Sequence, residues 1–514
     1  MKTVTRFFKR YNLIIIVILI VVQGYYYNLD ELLFIRPQSL HIMRQTDCLS
    51  MTQNYYEKNI SLWEPEIQNH FLDDGLSGKS AAEFPLIYYL VGQLWKIFGK
   101  SEGLFRIINL SILVLGLLTL FEVTKKYTGN VFLAGFLSLL LFTSPMLVFY
   151  SMNFMPNGPA FGLVLLAWYF IFRYSKSDSL YILWIATILF SLAILIKIAA
   201  AISFIALAGW LFYENIFIKK ENRRISLKMV YIIQIAIVVI SSFAWYIYVD
   251  HYNEIYGGSF SYHGIWPVWE MDRALFEKVI DHVKVIFFKD YFLNIIQYIT
   301  VVMWIILLFS FKKMNSFQRF FLIILPVGMA MYLALWFQVL EAHDYYLINM
   351  LIVLVYVWVM FFYHFKDKKV MAHPVLYLIL VGLLIYSSQH CKTQLDERHR
   401  GWMNDWYMTK LEALTELEPI FIQHGIKKED KVISIPDGSV CATLYYMERN
   451  GYTDFASDFS KDEIFRKRIN QGAKYLIIND PEILNREVLQ PYIKDEMVVY
   501  KNVHIYDLRN IDLK

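Results

Sequence analysis

INLSILVLGLLTL, residues 108–120, is followed by the basic pair Lys125-Lys126 and then by VFLAGFLSLLLF, residues 131–142. Two charge-free apolar blocks around a short cationic hinge read as two helices that cross a bilayer, because about 20 mostly apolar residues cover about 30 Å of hydrocarbon. Working outward, the same pattern repeats. Ile14–Val22, Ile182–Leu195, Ile232–Ile240 and Met350–Phe362 are nearly free of charge and reach spanning length with their flanks. Of the 514 residues 57% are hydrophobic, 17% aromatic and 18% charged. Soluble domains carry about 45–50% apolar and about 25% charged residues, so the composition points to the bilayer.

The net charge of +4 says less than its distribution. Lys and Arg gather in short connections: Lys2, Arg6, Lys9 and Arg10; Lys125 and Lys126; Arg173 and Lys176; Lys219, Lys220, Arg223, Arg224 and Lys228; Lys312, Lys313 and Arg319; Lys366, Lys368 and Lys369. The excess of Lys and Arg on the cytoplasmic side of membrane proteins assigns these segments to the cytoplasm and alternate connections to the outside. Eleven spans are predicted, near 11–27, 104–124, 130–149, 159–174, 180–197, 199–217, 229–248, 293–311, 319–338, 346–364 and 371–388. The amino terminus is then cytoplasmic and the carboxyl terminus external, in an inner (cell) membrane. The first span is expected to stay uncleaved, since Gln23–Asp30 offers bulky tyrosines where a signal peptidase needs small residues. Cys48, Cys391 and Cys441 all fall outside; a Cys391–Cys441 bond is one reading, and three unpaired thiols the expected one.

Two domains are predicted: a transmembrane module over 1–389 and an external soluble α/β domain over 390–514. The first external loop, 28–103, is far longer than a connection requires, and loops beyond about 12–15 residues are usually functional or disordered. Its Tyr, Leu, Ile and Trp content argues for order. Leu49–Glu57 is predicted as a short helix, and Pro85–Phe98 as a second, apolar one lying in the membrane interface, with Pro85 in its first turn and Gly99 past its end. Further external loops are expected at 249–292 and 339–345. In the carboxyl-terminal region Met408–His424 and Lys461–Gln471 read as helices, and Lys431–Pro436, Tyr475–Ile478 and a pair over 496–508 as strands. That region has no glycine-rich phosphate loop, CxxC pair or nucleophile elbow and is assigned no chemistry.

Chemistry is expected in the first loop. Asp47, in His41-Ile42-Met43-Arg44-Gln45-Thr46-Asp47, would lie near the membrane surface, where a carboxylate can take the proton of an attacking hydroxyl; equally, Thr46 or Asp47 would cap the helix that follows. Glu83 precedes Pro85 and would also complement a helix dipole. Asp73 and Asp74 belong to a turn. A leaving lipid phosphate calls for cations, and Arg44, Lys197 and His343 are the external candidates. Lys197 stands between apolar blocks, where a charge is costly unless it faces a cavity or an anion, or snorkels to the interface. His343-Asp344-Tyr345-Tyr346 offers a histidine that alone reads as a loop residue and tyrosines that alone read as an interfacial belt.

The order of these motifs resembles a family. Arg44-Gln45-Thr46-Asp47, then Asn54-Tyr55-Tyr56-Glu57, then Glu83-Phe84-Pro85-Leu86-Ile87-Tyr88-Tyr89 running to Phe98-Gly99, with Arg106 opening the second span, is similar to the bacterial branch of the GT-C glycosyltransferases. That branch includes protein O-mannosyltransferase-like enzymes and the lipid A aminoarabinose transferase; in layout the resemblance covers about residues 1–390. It implies a GT-C fold with a carboxyl-terminal external α/β domain. It also implies inverting transfer of a hexose or pentose from a polyprenyl-phosphate donor to a lipid, glycan or protein acceptor on the non-cytoplasmic face. By position Asp47 matches the catalytic aspartate, Glu83 the carboxylate ahead of the proline-tyrosine helix, Lys197 the lysine after the fifth span, and His343 and Tyr345 the basic-aromatic pair near the donor phosphate. Many relatives carry aspartate where this chain has Asn157. An amide is a poor metal ligand, so no cofactor is certain and a divalent metal lacks its expected ligand. Membrane lipids are the other expected partners, and nucleic acid is not one. The rival functions are a transporter or flippase of a lipid-linked saccharide, against which the lack of an internal repeat weighs, and a non-catalytic membrane assembly protein.

Overall fold

The computed structural model describes residues 2–223, 225–258, 264–400 and 402–511; Arg224 of the basic cluster and residues 259–263 of the loop at 249–292 lie outside them. Contacts divide the chain into two units: Met1–Phe34, Gly103–Trp245 and His263–Asp396 form the first, and Ile35–Glu102, Tyr246–Tyr262 and Glu397–Lys514 the second. The boundary drawn from composition at 389/390 thus falls at 396/397, and the first loop joins the carboxyl-terminal region in one unit.

The first unit is helical. Among the described residues six helices are long and apolar enough to cross a membrane, or eight if each of two bent pairs is one span. These eight match eight of the eleven predicted spans. The other three predicted spans are also helices, Lys2–Tyr26, Leu180–Ile196 and Asn157–Ser177, the first two with shorter apolar stretches and the last polar at both ends. The span predicted at 130–149 is broken: Val131–Leu141 and Pro145–Ser151 meet at 71°. Ser144 caps the second piece by accepting from the Leu147 amide, and Pro145 takes the first helical position, where its missing N–H costs nothing. Arg273–Tyr291 and Asn294–Phe309 meet at 94°. Glu102–Thr128 and Asn157–Ser177 cross at Gly116 and Gly162, where a Cβ on Gly162 would stand 2.6 Å from the Ile112 carbonyl oxygen. In a bilayer, where apolar side chains gain nothing by leaving lipid, such small-residue crossings let backbones pack directly.

The second unit holds a five-stranded sheet: β1 (Lys431–Ile435), β2 (Gly451–Tyr452), β3 (Ala473–Ile478), β4 (Glu496–Tyr500) and β5 (Val503–Asp507), in the order β2-β1-β3-β5-β4. β1 pairs parallel with β2 and β3, whereas β5 runs antiparallel to both β3 and β4. The first loop extends this sheet. The His70 amide donates to the Gly451 carbonyl at 2.7 Å and the Gly451 amide to the Gln68 carbonyl at 3.1 Å, so the edge of β2 does not stand unpaired. Lys461–Gln471 appears as the helix Asp462–Asn470. Met408–His424 is not one helix: a π-helical turn (Tyr407–Leu411), a 3-10 turn (Glu412–Glu416) and a short helix (Glu418–Gln423) replace it, because Pro419 cannot sit in a helix interior and opens the last piece instead.

Two helices of the first loop set the site. Leu86–Phe98 begins behind Pro85 and ends at Gly99, close to the prediction. The other runs from Ile42 to Glu57, seven residues longer at its start than predicted. They cross at Gly92, where an added Cβ would lie 2.8 Å from the Tyr55 Cβ and 2.9 Å from the Thr52 carbonyl oxygen, with the Tyr55 and Tyr89 rings edge to face at 5.2 Å. Gly92→Val should therefore force the helices apart and cost about 1–3 kcal/mol, read as a lower unfolding temperature of the purified protein; an unchanged temperature would mean the crossing is not tightly packed.

Candidate active site

Asp47 is not a helix cap. The helix starts at Ile42 behind His41, which takes a left-handed φ of 58° without capping through its side chain, so Thr46 and Asp47 lie in the second turn. Thr46 hydrogen-bonds back to the Ile42 and Met43 carbonyls. Arg44 and Asp47, three residues apart, share one face. The chain returns at Glu83, just ahead of the second helix. Arg44 Nη2 donates to Glu83 Oε1 at 2.7 Å and Oε2 at 2.6 Å, while its Nη1 stands 3.8 Å from Asp47 Oδ2. One guanidinium thus bridges both predicted carboxylates.

Asp47 Oδ1 is buried without a hydrogen-bond partner. The residue borders a cavity of about 30 Å³ that Arg44, Cys48, Glu83, Tyr88 and Val440 also line. That volume admits a water or a hydroxyl and no sugar ring. Burial pushes the Asp47 carboxyl up to about 7; Arg44 opposes the rise, and the charges of Asp437 and Glu83 add to it. The rest of the wall is neutral: Cys48 Sγ and Tyr88 Oη are 3.3 Å apart, and burial pushes the thiol up to about 11 and the phenol upward as well. A carboxylate poised near neutral pH, with one oxygen unpartnered and a hydroxyl-sized space beside the residue, has the properties of a general base.

Asp437, on the loop after β1, was not legible as part of this site. Pro436-Asp437-Gly438 reads as a turn, and the carboxylate does accept from the Ser439 and Thr443 amides as a turn residue would. Buried, it is itself shifted upward. Nothing in the sequence placed its charge where Asp47 feels it. A base with these neighbours predicts activity that rises with pH through about 7. Arg44→Gln should move that limb about one unit alkaline, measured as kcat/KM between pH 5 and 9; a limb that stays in place would remove Asp47 from the titration.

The remaining predicted residues lie in the first unit. Lys197 ends Leu180–Ile196 and is only 6% exposed, so it does not snorkel to water. Its ammonium lies 5.3 Å from the centroid of the Tyr345 ring and 5.1 Å from that of Tyr346, within cation–π range. The His343 and Tyr345 rings are 5.2 Å apart, and Tyr345 and Tyr346 stack at 5.0 Å. The tyrosine at 345 is buried and so is no interfacial belt residue. Asn157 Nδ2 donates to the Tyr345 carbonyl at 3.3 Å, and Asp344 accepts the Tyr150 hydroxyl. The structure therefore groups Arg44, Asp47 and Glu83 in one cluster and Lys197, His343 and Tyr345 in another. Arg44, expected on a phosphate, gives its charge to two carboxylates of its own unit. None of the three cysteines is in a disulfide, and all three are buried. Among the described residues no group of three or more His, Cys, Asp or Glu is arranged to hold a metal ion.

Residues 81–247 match the family model described as dolichyl-phosphate-mannose-protein mannosyltransferase. No curated protein sequence matches the chain. Solved structures do. ArnT from Cupriavidus metallidurans in the apo state aligns with a TM-score of 0.61 at 11% identity, over 96% of this chain and 97% of that one. The same protein bound to undecaprenyl phosphate aligns with a TM-score of 0.59 at 10% identity, over 97% and 98%. The archaeal oligosaccharyltransferase AglB from Archaeoglobus fulgidus, in complex with an inhibitory peptide and a dolichol-phosphate, aligns at 0.54 and 13% identity, over 93% of this chain and 70% of that one. The chain thus shares the fold of these solved structures, and its residues 81–247 are similar to that mannosyltransferase family.

Proposed function

We propose that this protein moves a hexose or pentose, with inversion, from a polyprenyl-phosphate carrier to a hydroxyl of a lipid, glycan or protein on the non-cytoplasmic side of the membrane. The observation that carries it is Asp47: a carboxyl shifted to about 7, with one oxygen lacking a hydrogen-bond partner, on the wall of a hydroxyl-sized cavity. Asp47 accepts the acceptor's proton as its oxygen attacks the anomeric carbon; the bond to the phosphate breaks, and its electron pair leaves with the polyprenyl phosphate. Glu83 holds Arg44, and through it the orientation of the base. Lys197, with His343 and Tyr345, supplies the positive charge and hydrogen-bond donors that a departing phosphate needs. The solved relatives bound to undecaprenyl phosphate and to a dolichol-phosphate support a lipid-phosphate donor. The basic connections support a cytoplasmic amino terminus, with the unit that contains Asp47 on the opposite side.

Purified protein in liposomes, supplied with polyprenyl-phosphate-linked sugars and membrane extract as acceptor, should release free polyprenyl phosphate and label an acceptor. Flux of the intact lipid-linked sugar across the bilayer, with no product formed, would replace the enzyme by a flippase.

A further inference from the structure

The stretch expected as an external loop at 249–292 contains a helix that the chemistry above does not use. It runs over Arg273–Val285 and continues as a π-helical turn over Ile286–Tyr291. Both of its flanks are tied to the ends of spans. Ahead of it, the Trp266 amide donates at 3.0 Å to the carbonyl of Leu335, the last residue of the span Ser316–Leu335, and Trp336 Nε1 donates to the Gly264 carbonyl at 3.2 Å. Behind it, the chain turns through 94° into the apolar helix Asn294–Phe309, where Gln297 donates to the Phe287 and Phe292 carbonyls. Leu335 and Asn294 are the ends remote from the basic connection at Lys312 and Lys313. A helix held between two such ends, and at a right angle to the span it enters, runs along the membrane surface.

Its side chains fall into three stripes. Val279 and Ile286 are fully buried, and the helix rests on the turn Gln338–Glu341, with Lys278 Nζ 2.6 Å from a Glu341 oxygen. Arg273, Glu277, Asp281 and Lys284 are exposed and pair along the surface, Arg273 with Glu277 and Lys284 with Asp281. Between these lie Phe276, Ile280, Val283 and Phe287, whose spacing puts them on one face of a helix. Phe276 is 38% exposed and the other three are half-buried. Just ahead of the helix, Trp269 is 65% exposed.

Neither water nor hydrocarbon suits this segment. In water the apolar stripe and Trp269 would stay wet. In the hydrocarbon core the exposed charges would be costly. The head-group region accepts both faces at once, and tryptophan is enriched there.

We infer that residues 264–291 form a membrane-surface anchor, lying in the head-group region of the leaflet opposite the basic connections. Trp269, Phe276, Ile280, Val283 and Phe287 sit among the upper acyl carbons, and Arg273, Glu277, Asp281 and Lys284 face water. The partner of the stripe is the lipid surface because both flanks of the helix are fixed at the level of span ends. The inference is independent of sugar transfer, and its test does not use activity.

Nitroxide labels are placed on the full-length protein through Ile280→Cys and Val283→Cys on the stripe and Glu277→Cys and Asp281→Cys on the charged face. The natural protein, whose own cysteines are buried, gives the labelling background. In phosphatidylcholine liposomes, the ratio of collisions with oxygen to collisions with a water-soluble nickel chelate should be about fivefold higher on the stripe than on the charged face. A second measurement needs no cysteine. Phosphatidylcholine brominated near the top of its acyl chains should quench tryptophan fluorescence less in Trp269→Phe than in the natural protein. If the cysteine variants fail to fold, this measurement decides alone, and equal quenching would put Trp269 outside the lipid. Chelate reaching all four labels equally would put the helix in water, and oxygen dominating at all four would put it in hydrocarbon. A stripe closed to both reagents would mean that a second copy of the chain or another protein covers it. Each of these results overturns the inference.

Discussion

Asp47→Asn should reduce sugar transfer by about 10²–10⁴-fold while leaving a folded protein. The amide keeps the size of the side chain and cannot take a proton. Its effect on stability separates loss of the base from loss of the fold. Burial raises the folded-state pKa of Asp47 to about 7, above the ordinary carboxyl value near 4. Folding therefore opposes ionisation: the cost is absent below about pH 4, grows between the two values and is complete above about 7. The Asn variant should thus unfold at a higher temperature than the natural protein at pH 8 and at the same temperature at pH 4. A variant that is inactive and less stable at both would reduce Asp47 to a structural residue. One that transfers sugar normally would end its role as base.

Lys197→Gln should have the second largest effect. The ammonium is buried against two tyrosine rings, and an ionisable side chain inside a membrane bundle marks a functional position. Hydrogen bonds to charged groups contribute about 1.5–3 kcal/mol, so binding of undecaprenyl phosphate should weaken about 10- to 100-fold, with a further fall in kcat if the amine also stabilises the departing phosphate. Lys197→Arg keeps the charge and should recover part of the binding. Equal lipid-phosphate binding in the natural protein and the Gln variant would remove Lys197 from donor binding. The two variants probe different steps: Asp47→Asn should bind the lipid phosphate normally, and Lys197→Gln should not.

The membrane fold was legible because it rests on local composition. Charge-free blocks and basic connections state their own placement, and the eight strongest spans overlap the predicted ones, although the helices at Arg273–Tyr291 and Pro374–Gln423 run well beyond the predicted bounds. Its errors have local physical causes. Thr143-Ser144-Pro145 carries a cap and a first-turn proline, yet the apolar residues on either side concealed the break. Ile42–Glu57 starts early because His41, with no capping side chain, turns the chain through backbone conformation alone, which no residue type announces.

The sequence by itself determined a polytopic helical chain with a large ordered first loop, and picked out Asp47, Glu83, Arg44, Lys197, His343 and Tyr345 by type and order. Only the tertiary structure decided what each touches. It set Asp47 inside a helix, directed the charge of Arg44 to Glu83, joined the first loop to the sheet through Gly451, and added Asp437 to the field around Asp47. The reason is one of range: hydropathy and capping act over a turn or two of chain, whereas a shifted carboxyl depends on desolvation and on charges hundreds of residues away in sequence.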